Sequence, residues 1–166
     1  EAGRADECRA AFRAAAEASP HDRALWHAWL HWERAQLAGG DGQVDGAGHY
    51  EAVLATALRC AGDVRLWGEY VAHVSGRAPG GGDAEARAAW RAGVTAAHEA
   101  ALGAVGLDGR AGPLYRGFVT FVRDAWTPEG VYEQQLQMDA LRRIYQRATS
   151  LPHAETEGLW AEYDAW

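Results

Sequence analysis

Few residues in this chain are placed to do chemistry, and the plainest pair is His27 and His31. Four positions apart on a helix, two imidazoles share one face and can hold a zinc ion. Here the residues between them read Ala-Trp-Leu. The glutamate that acts as general base in a His-Glu-x-x-His hydrolase is therefore missing, and no third ligand stands nearby. No metal and no cofactor is expected. A second cluster is basic: Arg142, Arg143 and Arg147, of which Arg143 and Arg147 fall on one helical face while Arg142 points elsewhere. Contact with RNA or an acidic partner is one use for them. Pairing with Glu155, Glu157, Glu162 and Asp164 on the next stretch is the simpler one, because isolated surface charges contribute little. Third come the aromatic rings, which either stack bases, at about 1–3 kcal/mol each, or pack helix on helix. No glycine-rich phosphate loop, Ser-His-Asp order, Cys-His pair or carboxylate dyad stands out, and Gly80–Gly82 reads as a spacer. Nothing here points to an enzyme.

The elements that position these residues are helices, and they repeat. Rings recur at spacing three: Trp26, Trp29 and Trp32; Trp67 and Tyr70, followed by His73; Tyr115, Phe118 and Phe121; Trp160, Tyr163 and Trp166. Each triplet lies on one helix face, and the first members are 41, 48 and 45 residues apart, the period of a two-helix repeat with inserted loop residues. A partner helix precedes each triplet, marked by Phe12, by Leu54 and Leu58, by Ala97 and Ala101, and by Ile144, Tyr145 and Ala148. Stop signals separate the two: Ser19-Pro20, Ala61-Gly62-Asp63, Gly112-Pro113 and Leu151-Pro152. Asp22 and Asp63 can cap the helices they open, and Pro113 suits a first helical turn. The reading is eight helices, near 5–18, 22–37, 48–61, 64–76, 83–104, 112–125, 130–149 and 156–166, with loops at Gly39–Gly48, Arg77–Gly82 and Asp124–Gly130. Opposite Ala-rich partners, the rings read as packing between helices.

Composition agrees with an all-α fold. Of 166 residues 36 are Ala, ten are Val and one is Ile, so strand formers are scarce and an all-β fold is close to excluded. All 16 basic residues are Arg, and the net charge of −7 opposes an unaided grip on a phosphate backbone. Cys8 and Cys60 suit small buried residues in a reducing compartment rather than a disulfide framework. No apolar run approaches the roughly 18 residues of a membrane span. The chain opens on Glu1 and stops at Trp166 within a helical pattern, so one domain over 1–166, a fragment of a longer protein, is expected.

The pattern Trp26-x-x-Trp29-x-x-x-Glu33, preceded by Phe12 and Pro20 and recurring at Trp67-x-x-Tyr70, Tyr115-x-x-Phe118 and Trp160-x-x-Tyr163, resembles the half-a-TPR (HAT) repeat. Within that class, Ala140-Leu-Arg-Arg-Ile-Tyr-Gln-Arg147, then Pro152 and Leu159-Trp-Ala-Glu-Tyr163, is similar to the suppressor-of-forked family, the scaffold subunit of cleavage stimulation factor. The resemblance implies an α-solenoid of antiparallel helix pairs with a right-handed superhelical turn. It would hold about four repeats, lacking the first helix of the first repeat and the repeats downstream. It assigns structural roles to Phe12, Trp26, Trp29, Glu33, Trp67, Tyr70, Tyr115, Phe118, Tyr145, Trp160 and Tyr163, with Glu33 hydrogen-bonding across a helix pair. It further implies a nuclear, non-enzymatic scaffold of pre-mRNA 3′-end cleavage and polyadenylation. Its partners would be other protein subunits of that complex, and RNA would be reached through them. The full-length protein would dimerise through an absent domain, leaving this piece monomeric. His98 and Leu54 depart from the family, which usually carries a ring there. A crooked-neck-like scaffold of splicing or ribosomal-RNA processing is the alternative, although its repeats run nearer 34 residues; a direct RNA-binding module is another.

Overall fold

The computed structural model describes residues 2–38, 46–81, 83–128 and 130–166. Among them are eight α-helices: α1 (Ala2–Ala18), α2 (Arg23–Ala38), α3 (Gly46–Ala61), α4 (Val64–Ser75), α5 (Ala84–Val105), α6 (Gly112–Thr120), α7 (Val131–Thr149) and α8 (Thr156–Ala165). No strand occurs among the described residues. None of these helices is long and apolar enough to cross a membrane. Start signals act as the residues dictate. Asp22 Oδ1 accepts from the N–H groups of Ala24 (2.9 Å) and Leu25 (3.3 Å), Asp63 Oδ1 from Leu66 (2.9 Å), and Asp83 Oδ1 from Glu85 (2.9 Å), while Pro113 sits in the first turn of α6. Asp63→Ala should therefore cost about 1 kcal/mol in a denaturant titration, whereas Asp63→Asn should keep most of the cap.

The chain divides into two compact units, residues 1–67 and 68–166. In the first, α2 packs on both α1 and α3. The α1–α2 pair is antiparallel: Arg9 meets Glu33, and Phe12, one turn on, stacks on Trp29 with centroids 5.6 Å apart. Trp26 stacks on Trp29 at 5.7 Å, and its indole N–H donates to the Pro20 carbonyl at 2.8 Å. On the other side, Arg34 donates to the Tyr50 hydroxyl (3.0 Å), and at the far end His21 Nδ1 reaches the Cys60 carbonyl (2.7 Å). That direction of pairing makes α2 and α3 antiparallel as well. The glycine-rich loop is shorter than the sequence suggests. Residues 39–45 lie outside the described residues, but Gly46 to Gly48 already belong to α3. A Cβ at Gly46 would stand 2.9 Å from Leu37 Cδ2, so the close approach of this end of α3 to α2 is what the glycine permits.

In the second unit α6 packs on α5 and α7, and α7 on α8. Tyr115 is fully buried, which removes about 150–250 Å² of ring surface from water. Trp90 donates to the Ser75 carbonyl (3.2 Å) and meets Phe121 edge-on at 5.4 Å, while His98 lies flat on Phe118 at 4.6 Å. One correction concerns the helix read as 112–125. It is α-helical only to Thr120, and Phe121–Ala125 form a π-helical turn. The cause is a neighbour: Gln137 Nε2 of α7 donates to the carbonyls of Val122 (2.7 Å) and Trp126 (2.7 Å), satisfying acceptors that a widened turn leaves open.

Candidate protein-interaction site

Each unit carries a groove built to one plan. In the first, α1 and α3 flank α2 and enclose about 350 Å³, floored by Trp26 and Trp29 and walled by Arg13 and Ala16 of α1 and by Val53 and Thr56 of α3. In the second, α5 and α7 flank α6 and enclose about 320 Å³, floored by Tyr115 and Phe118 and walled by Leu102 and Glu99 of α5 and by Ile144, Arg143 and Arg147 of α7. The floors are the first two members of a ring triplet in both cases. Repetition of the sequence pattern is thus repetition of a concave surface.

Beneath the first groove lies a buried ion pair. Arg9 donates from Nε to Glu33 Oε1 (3.0 Å) and from the guanidinium to Glu33 Oε2 (3.1 Å), and Trp29 Nε1 donates to the same carboxylate at 3.2 Å. Glu33 is 1% and Arg9 7% exposed. The hydrogen bond to Glu33 holds the Arg9 guanidinium above its ordinary pKa against the opposing effect of burial. Arg9 also lies over the Trp32 ring at 5.5 Å.

The two histidines do not act together. His27 Nε2 faces Asp63 Oδ2 at 3.4 Å, while His31 is exposed. Burial pushes the Asp63 carboxyl upward, but the Leu66 N–H and His27 together bring it below its usual value.

Among the rings, Trp26, Trp29, Tyr115, Phe118 and Tyr145 are buried, and Phe12, Trp67, Tyr70 and Tyr163 half-buried. Tyr145 stacks on Tyr163 at 5.3 Å as Phe12 does on Trp29. Trp160 differs from the packing reading: it is 55% exposed, and its neighbour Leu159 is the buried residue of α8. Trp160 meets Tyr163 edge-on at 6.3 Å. Trp160→Ala should consequently change stability by less than about 1 kcal/mol in a thermal melt of this chain.

The arginines also separate. Arg142 donates to Asp139 (3.2 Å) on the surface. It stands three residues before Tyr145, the register that Arg9 holds before Phe12. Arg147 reaches across the second groove to Glu99 Oε2 at 3.0 Å. Arg143 is exposed, without a partner among the described residues. The pairing expected with the acids of α8 goes elsewhere. Arg116 holds both Glu155 and Glu162 at 2.6 Å, and Arg123 approaches Glu162 at 3.7 Å. Glu162 first and Glu155 next keep the Arg116 guanidinium above its ordinary pKa. The acids lie one turn from α6 residues rather than α7 residues because α8 turns its acidic face to Arg116.

Arg9, Arg116 and Gln137 are the important side chains that sequence reading missed. For Arg9 a signal existed, in its shared register with Arg142; for the other two the partners are set only by packing.

An all-helical chain whose consecutive helices pack through recurring ring triplets is a helical-repeat protein, and its grooves are surfaces rather than catalytic clefts. The chain belongs to the suppressor of forked family, whose model matches residues 2–166. The mRNA 3′-end-processing protein rna14 of Schizosaccharomyces pombe is 32% identical over 141 residues, 83% of this chain and 17% of that protein. Its namesake from Debaryomyces hansenii is 37% identical over 73 residues, 44% of this chain and 10% of that one. That from Emericella nidulans is 34% identical over 105 residues, 61% and 9% respectively. The chain thus spans a small part of the curated relatives it matches.

Proposed function

We propose that this chain is part of a non-enzymatic, protein-binding scaffold of pre-mRNA 3′-end cleavage and polyadenylation, working in the nucleus. The observation that carries the reading is the family match over nearly every residue, to relatives named for mRNA 3′-end processing. The structure adds physical support. Rings that would otherwise serve as a base-stacking platform are largely consumed between helices, and no cluster of His, Cys, Asp and Glu among the described residues is arranged to hold a metal. Residues 1–166 then form one run of about four repeats within a longer protein. Helical repeats suit such work, since they spread contacts over a long surface.

The partners are other protein subunits of the cleavage and polyadenylation complex, with pre-mRNA reached through them. Dimerisation of the whole protein belongs to a region outside this chain, so the chain by itself should sediment as a monomer. Affinity purification of the full-length protein tests the reading. Recovery of 3′-end-processing factors is expected; recovery of splicing factors in their place would overturn it.

A further inference from the structure

We propose that the groove between α5 and α7 is a docking site for an acidic peptide segment of a partner protein, one that inserts an aromatic or aliphatic side chain and places a carboxylate on Arg143. This deepens the scaffold reading and rests on it, by naming the chemistry of one binding surface.

The floor and lower walls are apolar, formed by Tyr115, Phe118, Leu102 and Ile144. At about 320 Å³ the space sits at the small end of ligand clefts, which run from about 300 Å³ upward, and suits one or two side chains rather than a whole helix. Charge then selects the occupant. Glu99, Arg143 and Arg147 are the charged residues of the lining, so the groove carries an excess of one positive charge in a chain of net charge −7. Arg147 is held by Glu99 at 3.0 Å and so is largely neutralised. Arg143 stands one turn away on the same face of α7, exposed and without a partner among the described residues. A guanidinium there offers paired donors to a carboxylate, whose other flank would lie over the apolar floor. Acidic peptide is favoured over RNA because the remaining charge around the groove is that of an acidic protein, which repels a continuous phosphate backbone but tolerates a few carboxylates placed on one arginine. The groove of the first unit repeats the scheme: Arg13 is its exposed wall arginine, likewise without a partner among the described residues.

The test is an NMR titration of the chain with a synthetic Glu-Asp-Phe-Asp-Glu peptide. Expected are shifts confined to the residues of α5, α6 and α7 that line the groove. Arg143→Glu should weaken binding roughly tenfold while leaving the melting temperature unchanged, and replacing the peptide's Phe by Ala should weaken it comparably. Shifts spread over other helices, indifference to Arg143→Glu, or absence of peptide binding overturn the proposal. So does an RNA oligonucleotide that binds this face more tightly than the peptide. The scaffold reading is read separately, from co-purification by the full-length protein. A failed peptide titration beside recovered processing factors therefore removes the groove's assignment alone.

Discussion

Glu33→Ala should lower stability by about 3–5 kcal/mol, the cost of leaving one member of a buried ion pair without its counter-charge. Three donors lose their acceptor at once: Nε and Nη2 of Arg9, at 3.0 and 3.1 Å, and the indole N–H of Trp29, at 3.2 Å. Water cannot readily replace the carboxylate, because Arg9 is 7% exposed and lies between Asp6, Glu33 and the Trp32 ring. Guanidinium titration followed by circular dichroism measures the loss. The double variant Arg9→Met with Glu33→Leu should recover most of it, since a well-packed apolar pair often matches a buried ion pair. If Glu33→Ala falls within about 0.5 kcal/mol of the parent, the pair does not hold α1 on α2.

Acid should weaken the second unit through one residue. His98 is 3% exposed, lies flat on Phe118 and within 6.1 Å of Phe121, and its Nδ1 has no hydrogen-bond partner. Burial pushes its pKa down to about 4 from the ordinary 6.5, although a hydrogen bond with the Leu114 backbone opposes the shift. Between those two values the unfolded chain binds a proton that the folded chain refuses, so stability falls as pH drops. The contribution is complete above pH 6.5 and lost progressively down to about pH 4, in all about 3 kcal/mol. His98→Phe keeps the stacked ring and removes both the titration and the orphaned nitrogen. Its unfolding free energy should be flatter across that window than the parent's; an equal slope in both proteins would assign the acid sensitivity elsewhere.

Much of the architecture was legible because two independent signals coincide along the chain. Ring triplets mark one helix of each pair, and Ser19-Pro20, Asp63 and Pro113 mark where the next begins. Boundaries such as α5 at Ala84–Val105 follow from them closely. What failed depends on partners far away in sequence. The π-helical turn follows from Gln137, which lies 15 positions beyond Val122. Helical spacing puts Trp160 on a face with Tyr163 but does not say which face of α8 is covered, and Leu159 is the residue that takes the interior place. Arg9 and Glu33 lie 24 positions apart, so their pairing needs the antiparallel α1–α2 contact before it can be seen. The grooves are illegible for the same reason, being spaces between helices that are not neighbours in sequence.

The widened turn at Phe121–Ala125 carries a consequence for how this stretch tolerates changes of length. A π-helical turn accommodates one residue more than an α-helix uses. Deleting a residue there would let α6 run on regularly, at the expense of rotating everything after it by about 100°. Trp126 would swing away from Arg91, over which it now sits at 6.0 Å, and the carbonyls bound by Gln137 would be lost to it. The apparent surplus residue is thus a spacer that sets the phase of the chain as it leaves α6, and its removal would be felt in α7 rather than where the cut was made.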